Sequence, residues 1–535
     1  MKKIVIIFFV SYGLSQQIQF IPFDWSGQFG YVNKNGAIMW NQDWQSDRLL
    51  FDGTWSVYPK MYGNEIEEGF VSQSADTSNF DSSLVNSYFK YDQGDYSLDR
   101  FSLGTNYTGN GRQIHFHAFK RSFYGAYGQY NNQSNQPIQQ SYLGSYESRK
   151  GKEHAGISVG HFNTYSGIAD FTARGLIDNR ITAINTFWNQ SFGQFNSKVY
   201  FDQFMQRYVT NHTLSSYAGV RYLTRSRIIG ELYWKDNITI GAEKNMRSTR
   251  MDTLIIADWN RLYIKSQLSL FDIDLGVTSL KDSRNIDYNI GMNYQLKSFL
   301  INVGIEQLVK PIHPYYLFQN YSENIDLISV TSNYHAGIDW DGELSNASII
   351  FSHLTDNNDY WDIVIPDSGN YFEKKAEHGQ LNLNYQTSMI PFIDLGINYG
   401  TRNTGNIYGG GIGSFLNYNI KSRLSLFDGF MLVDLKLGMD RYFNRLNNSI
   451  IHPIEMVPMT VYTDERLDDP DDISLINGTI TVYVSTFTIK YEWLNIREMI
   501  LASIGSDEDN YFDVHPEMPH LGRETHLSVE WDFLD

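Results

Sequence analysis

The feature that most constrains this chain is a regular alternation of polar and apolar residues in segments of about ten residues. In Asp287 to Leu296, Ser298 to Gln307 and Phe392 to Gly400, one parity is apolar and the other is rich in Asn, Gly and Asp. A period of two places successive side chains on opposite faces of a β-strand. About ten residues is the length that a tilted strand needs to cross a bilayer. We therefore expect strands with one face in lipid and the other in water.

Segments of this kind, joined by turn residues, recur from residue 83 to the end of the chain. They predict an all-β fold, a transmembrane antiparallel up-and-down β-barrel with an even number of roughly 18 to 22 strands. The longest predicted loops are Val309–Ser329, Thr355–His378 and Phe443–Ile476. Short and long connections alternate, as in barrels with short periplasmic turns and long external loops. No repeat with fixed signature residues is visible, which disfavours a propeller.

The start of the chain has the pattern of an export signal. Lys2 and Lys3 precede the apolar run Ile4–Val10, and Gly13 and Ser15 are small residues at the spacing that a signal peptidase accepts. The alternative is a buried N-terminal strand. We expect residues 1–15 to be a signal peptide, residues 16–82 to be an irregular N-terminal segment with the first strand or strands, and residues 83–535 to form the barrel.

Composition excludes several classes of function. The net charge is −18, which argues against a nucleic-acid partner. The chain has no cysteine, so thiol catalysis and cysteine-ligated metals are excluded. Its 37 Tyr and only 12 Pro suit strands and the aromatic girdles of a membrane barrel. After the signal no apolar run approaches 18 residues, so helical membrane spans are not expected.

The C-terminal residues carry a more specific pattern. Apolar and polar residues alternate from Thr525 to Phe533, which predicts a last strand that closes on the first. A proline-rich turn and Gly-Arg precede it in Pro516–Arg523, and Thr486–Asn495 has the pattern of a penultimate strand. These residues resemble the close of barrels related to TonB-dependent receptors and of their plug-less porin relatives.

The resemblance implies a pore or a transport role in the outer membrane of a Gram-negative-type bacterium, and it implies no catalytic residues. A TonB-dependent receptor carries an N-terminal plug that residues 16–82 are too few to form. We therefore expect a passive channel for small hydrophilic solutes, inserted into outer-membrane lipid by the barrel-assembly machinery. The alternatives are a ligand-specific transporter or receptor closed by its own loops, and a surface adhesin. Steady conductance separates the first expectation from the other two.

Two sets of charged residues are the candidate pore and loop residues. Carboxylates in a long loop at a pore mouth attract cations and repel anions, so we expect weak cation preference. Basic residues in or beside strands form rings that set selectivity, or reach lipid headgroups instead. The acidic set is Asp464, Glu465, Asp468, Asp469, Asp471 and Asp472, and the basic set is Arg100, Arg112, Arg121 and Arg180.

Metal and catalytic sites are less well supported. His115 and His117 lie two apart on one face of a strand and could share a metal, but two histidines facing the lumen explain the spacing better. The acidic run could hold Ca²⁺, yet the EF-hand spacing is absent and a solvated loop is favoured. A Gly-x-Ser-x-Gly sequence occurs at Gly156–Gly160, but it lies inside the predicted strand Glu153–Thr164 and not at a strand-to-helix elbow. We expect no enzyme activity, no resident metal and no cofactor.

Overall fold

The computed structural model describes residues 84–122, 137–167, 175–212, 219–235, 237–250, 254–280, 283–311, 328–357, 375–402, 414–444, 472–504 and 523–534, with a few short pieces elsewhere. The predicted signal peptide lies outside the described residues. Five short strands precede residue 84: β1 (Ile18–Phe20), β2 (Tyr31–Lys34), β3 (Ala37–Trp40), β4 (Val57–Met61) and β5 (Glu65–Glu68). They form one three-stranded and one two-stranded antiparallel sheet.

The remaining described chain is almost entirely long strands. They are β6 (Leu84–Gly94), β7 (Leu98–Gly109), β8 (Arg112–Ser122), β9 (Ile138–Lys150), β10 (Glu153–Gly167), β11 (Gly175–Phe192), β12 (Phe195–His212), β13 (Gly219–Trp234), β14 (Ile238–Arg250), β15 (Leu254–Leu268), β16 (Phe271–Leu280), β17 (Ser283–Leu296), β18 (Phe299–Pro311), β19 (Ile328–Asp341), β20 (Ser345–Asn357), β21 (Lys375–Ile390), β22 (Ile393–Arg402), β23 (Ser414–Leu426), β24 (Met431–Phe443), β27 (Ile473–Val484), β28 (Phe487–Leu494) and β29 (Glu524–Leu534). A small hairpin, β25 (Ile450–Ile451) and β26 (Pro458–Met459), and one helix, α1 (Ile496–Ser503), lie in two of the connections. No helix in the described part of the chain is long and apolar enough to cross a membrane.

These long strands close into a barrel of 22 strands in which each pairs with the next along the chain. The pairing is antiparallel throughout, and β29 pairs with β6 from His526 opposite Gly94 to Leu534 opposite Asn86. The predicted up-and-down barrel, its even strand count and its closure by the C-terminal strand are confirmed. Closure satisfies the backbone hydrogen bonds of every strand, which hydrocarbon cannot do.

The two ends of the barrel differ. Ten connections of two to four residues lie at one end, from the turn after β7 to the turn after β27. The other end carries the long connections, including residues 312–327, 358–374 and 444–472, where the sequence predicted them. In outer-membrane barrels short turns face the periplasm and long loops face outward. The short-turn end is therefore the periplasmic end.

The predicted apolar parity lies on the outer wall. Cross-strand partners share a face, and Met292 pairs with Val303 while Gly291 pairs with Gly304. Val303 is exposed and Gly304 is buried on the inner side. The same division holds around the barrel, where large apolar side chains are exposed outward, for example Leu262 at 66%. The inner wall instead buries polar and charged groups. A soluble protein has apolar side chains inside and polar ones outside. The opposite arrangement seen here is the one that is stable when lipid surrounds the outer wall.

Replacing Val303 with Arg should destabilise the barrel by about 2–4 kcal/mol, since Val303 projects outward near the middle of the apolar band. The measurement is the free energy of unfolding in denaturant for protein folded into lipid vesicles. The matched control is Asn289→Arg, because Asn289 on the neighbouring strand is exposed on the lumen side, where an Arg meets water. Equal losses for the two variants would contradict the assignment of inner and outer faces.

Two features of the strands differ from a regular alternation over about ten residues. The alternation indicates two separate segments at Ser215–Thr224 and Arg227–Lys235, but β13 is one continuous strand, Gly219–Trp234. The polar Ser226 that interrupts the pattern is on the outer wall, where its hydroxyl donates to Gln203 at 2.5 Å. Strands β11 and β12 each have 18 residues, longer than a membrane crossing needs, so they extend past the apolar band.

Candidate functional site: the charged inner wall

The inner wall of six consecutive strands, β12 to β17, carries charged side chains that contact one another. Inward-facing positions on these strands are those of the buried parity, for example Thr239, Gly241 and Asn245 on β14. We call the charged set on this surface the inner-wall ladder. It consists of Asp202, Arg227, Glu231, Glu243, Arg261, Lys265, Asp274 and Asp287.

The first part of the inner-wall ladder joins β11, β12 and β13. Asp202 and Arg227 are direct cross-strand partners, and the guanidinium donates to Oδ2 of Asp202 from Nε at 2.7 Å and from Nη2 at 2.5 Å. The amide of Asn185 donates to the other carboxylate oxygen at 3.0 Å. Asp202 is 4% exposed. Its charge is therefore matched in place by three hydrogen bonds rather than by water.

The second part centres on Glu231. Its carboxylate accepts hydrogen bonds from the hydroxyls of Tyr233 and Tyr263, the latter at 2.7 Å from two strands away. Nζ of Lys265 lies 3.8 Å from the same carboxylate. Tyr263 can cross β14 because its cross-strand partner is Gly241, where a Cβ would lie 2.1 Å from the tyrosine ring. A side chain at Gly241 would displace Tyr263 from Glu231.

The third part joins β15, β16 and β17 through Arg261. Its Nε donates to Asp287 at 2.6 Å and its Nη2 donates to Asp274 at 2.8 Å. Thr278 donates to the second oxygen of Asp287 at 2.8 Å. Lys265 lies 3.9 Å from Asp274 and so connects this part to Glu231. The guanidinium of Arg261 also stacks 4.5 Å from the centre of the Tyr263 ring.

The inner-wall ladder presents five carboxylates and three cations on one side of the lumen. Its groups are held by side chains on the same strand or on strands one or two away, so they are oriented before any ligand arrives. Water, rather than lipid, fills the space beside an inner barrel wall. Such a surface can hydrogen-bond a hydrophilic ligand at several points without first reorganising, which favours specific binding over simple passage.

The predicted basic residues divide between the two faces. Arg100 and Arg121 face inward and are nearly buried, and Nε of Arg100 lies 2.5 Å from Asp92. Arg112 and Arg180 are exposed on the outer wall, because they share the parity of outward residues. Their outward position corrects the expectation of a lumen-facing ring and matches the alternative of reaching lipid headgroups.

The predicted acidic loop falls almost entirely outside the described residues. Asp464, Glu465, Asp468, Asp469 and Asp471 are not described, and their roles stay predictions. Asp472 is exposed at the start of β27, where it accepts a hydrogen bond from Arg441 at 3.3 Å. That contact ties the end of the loop to the outward face of β24.

The two histidines lie on the inward parity of β8, opposite inward residues of β7. His117 is 1% exposed and its Nδ1 is hydrogen-bonded to the hydroxyl of Tyr88, which is also an inward residue. Within the described ranges no group of three or more His, Asp or Glu residues could hold a metal ion. The interpretation of His115 and His117 as inward-facing strand residues agrees with these contacts.

Arg261 and Lys265 are basic residues in or beside strands, but the sequence alone does not identify their acidic partners. Glu231, Asp274 and Asp287 come from different strands, and only the register brings them within reach of the two cations. A signal was present in the sequence, since acidic and basic residues occupy the same parity on consecutive hairpins. To predict ion pairs from this signal one must know the register between each pair of neighbouring strands, and the sequence pattern leaves that register uncertain by one or two residues.

Comparisons with known proteins identify similar folds. No family model matches the chain, and no curated protein matches it by sequence. Among solved structures, the FrpB iron transporter from Neisseria meningitidis is similar with a TM-score of 0.63 and 8% identity, over 88% of this chain and 85% of FrpB. A mutant ferric enterobactin receptor, PfeA from Pseudomonas aeruginosa, gives 0.61 and 10%, over 85% and 81%. The alcaligin outer-membrane receptor FauA from Bordetella pertussis gives 0.56 and 11%, over 93% and 85%.

These neighbours correct one expectation and support another. The expected resemblance to receptor barrels holds at the level of the fold, whereas a relation to plug-less porins is not confirmed. The expected passive channel for small solutes is wrong, because the barrels that match are named as iron transporters and siderophore receptors. With its closed wall and apolar exterior, the chain is an outer-membrane β-barrel protein with the fold of receptor barrels.

Proposed function

We propose that this chain is a ligand-specific outer-membrane transporter or receptor. The observation that carries the proposal is its strand number of 22. Barrels of about 16–18 strands leave an aqueous channel, whereas 22-stranded outer-membrane transporters have an occluded lumen. With strands about 4.8 Å apart and tilted by about 40°, such a wall is about 44 Å across. An open lumen of that width would pass solutes without selection.

A ferric siderophore is the ligand class that we propose first. The similar solved structures are named for iron, ferric enterobactin and alcaligin, and those names suggest the class to test here. The inner-wall ladder supports a ligand of this kind, because it offers fixed donors and acceptors together with the rings of Tyr233 and Tyr263. Siderophore complexes are hydrophilic, rich in oxygen and too large for a narrow porin.

A selective transporter with a barrel of this width needs a part of the chain that blocks free passage through its lumen. The parts of the chain outside the barrel wall are the long outer loops and the segment before Leu84. Within that segment β3 contacts β23 and β4 contacts β8, so it meets the barrel at two separate places. We propose that this segment and the loops together occlude the lumen and that ligand binding changes their arrangement.

Saturable binding of at least one ferric siderophore tests the proposal. The full chain, purified in detergent, would be titrated with catecholate, hydroxamate and mixed ferric siderophores while tryptophan fluorescence is recorded. We expect quenching that saturates for the ferric form and is much weaker for the iron-free form. No saturable binding, together with free equilibration of small sugars across vesicles containing the protein, would overturn the proposal in favour of a passive channel.

A pair of lysine variants locates the binding surface. Lys265 lies on the inner wall between Glu231 and Asp274, and Lys244 is exposed on the outer wall of the neighbouring strand. Lys265→Gln should weaken ferric siderophore binding by about 5-fold, the effect of one partly exposed charge. Lys244→Gln should leave binding unchanged. Equal effects of the two substitutions would place the ligand away from the inner-wall ladder.

A further inference from the structure

A row of three arginines and one tyrosine crosses four neighbouring strands on the outer wall. Arg180 of β11 is the direct cross-strand partner of Arg207 on β12. Arg207 is in turn the partner of Tyr222 on β13, and Tyr222 is the partner of Arg250 on β14. We call Arg180, Arg207, Tyr222 and Arg250 the outer-wall row. Adjacent members are one strand spacing apart, about 4.8 Å between backbones.

Every member of the outer-wall row points away from the lumen. Arg180, Tyr222 and Arg250 are exposed, and the side chain of Arg207 is 41% exposed. They share parity with outward apolar residues on their own strands, such as Met205 on β12 and Ile240 on β14. The inward neighbours of the row, Leu223 and Thr249, are each 1% exposed. The row is therefore on the surface that the membrane surrounds.

The height of the outer-wall row places it at the outer edge of the membrane. Arg207 lies 13 residues after Gln194 and Tyr222 lies 13 residues before Lys235, and both of those residues are in periplasmic turns. At about 3.3 Å per residue and a tilt of about 40°, 13 residues rise about 33 Å. The apolar band of a barrel is about 25 Å tall. The row is thus level with the headgroups of the outer leaflet.

The charge of the outer-wall row is only partly matched by the protein. Like charges directly opposite each other on a sheet repel, as Arg180 and Arg207 do here. Asp178 lies between them and accepts from Arg180 at 3.0 and 3.1 Å and from Arg207 at 3.3 Å. Among the residues described, Arg250 has no ion pair, so three cations face one carboxylate. The chain as a whole carries −18, which means that this excess is local.

We propose that the outer-wall row binds the phosphate groups of an anionic lipid in the outer leaflet. Guanidinium groups match the geometry of phosphate oxygens and donate to them in pairs. Tyrosine is suited to the boundary between headgroups and acyl chains. Below the row the outer wall exposes the apolar side chains of Phe201, Met205 and Ile228, with the polar pair Gln203 and Ser226 between them. This surface can contact the acyl chains of the same molecule. A lipid fits this arrangement better than a free phosphate ion, which would leave that apolar surface unused.

The test removes two positive charges and keeps the ion pair that lies within β11. The double variant R207Q/R250Q retains the bidentate contact of Arg180 with Asp178. The matched control is K421Q/R423Q, which removes two exposed charges on the lumen side of β23, away from lipid. Both variants and the unchanged chain would be folded in nanodiscs containing a small fraction of an anionic phospholipid. Native mass spectrometry then counts the anionic lipids that each protein retains.

We expect R207Q/R250Q to hold the anionic phospholipid on the order of 10-fold more weakly than the unchanged chain, since each basic residue near a membrane surface adds a separate attraction. The control should retain as much as the unchanged chain. Retention by R207Q/R250Q equal to that of the unchanged chain would overturn the proposal. So would release of the lipid by low millimolar inorganic phosphate, because that result would show a phosphate site without a contribution from the acyl chains.

Discussion

Removal of Leu527 to Asp535 is expected to abolish assembly of the barrel. Most of β29 would be lost, leaving β28 and β6 with unpaired edges on either side of a gap. No water is available in hydrocarbon to satisfy the exposed amides, and each unsatisfied group costs several kcal/mol. The truncated chain should therefore show no heat-modifiable migration in gels and no protection from protease in vesicles.

A shorter truncation provides the control. Asp535 lies beyond β29, and its removal leaves every pair between β29 and β6 intact. That variant should assemble as the unchanged chain does. The outward aromatic contacts at this closure, Trp531 with Phe487 at 5.5 Å and with Phe533 at 4.3 Å between ring centres, also remain. Normal assembly of the longer truncation would contradict the closure of the barrel between β29 and β6.

Replacing Arg261 with Met should lower the free energy of unfolding by about 3 kcal/mol, the cost of leaving one member of a buried ion pair without its partner. Asp287 is 4% exposed and would keep only the hydroxyl of Thr278. Asp274 would keep Lys265, at 3.9 Å. Denaturant titration of protein folded in vesicles measures the change. The slope of the free energy against denaturant concentration should be the same for both proteins, which shows that both expose the same surface on unfolding.

An exposed pair on the same inner wall serves as the control. Arg423 donates to Asp434 from two nitrogens, both at 2.6 Å, but the guanidinium is open to the lumen. Arg423→Met should change stability little, because water replaces the lost partner. The double variant R261M/D287L should recover most of the loss, since it removes both charges. An equal loss of unfolding free energy for Arg261→Met and Arg423→Met would show that burial of the inner-wall ladder does not increase the cost of breaking its ion pairs.

The membrane-crossing part of the fold could be predicted from sequence because lipid selects it residue by residue. Ile290, Met292 and Tyr294 alternate with Gly and Asn, and their partners Ile305, Val303 and Ile301 do the same. Above the apolar band this selection ends. Arg180, Arg207 and Tyr222 occupy outward positions there, so the pattern fades while the strands continue. The predicted strands in this region were accordingly too short.

The inner-wall ladder could be predicted only in part. Its members lie on six strands, and their contacts depend on the register of every hairpin between them. Tyr263 shows the limit most clearly, because its hydrogen bond to Glu231 requires a glycine at position 241 on the strand between. The sequence shows the three residues but gives no reason to associate them. The width of the lumen could not be predicted either, because it depends on the number of strands and the sequence indicated only a range of roughly 18 to 22. A barrel of about 18 strands favours an open channel, whereas one of 22 favours an occluded transporter.

Conductance across a planar bilayer tests the central claim most directly. The full chain, shown by heat-modifiable migration to be folded, would be inserted into the bilayer and held at constant voltage in salt solution without ligand. A ligand-specific transporter with an occluded lumen predicts no steady current above that of the bare bilayer. A steady ohmic current that scales with the number of inserted molecules would contradict it and would show an open channel.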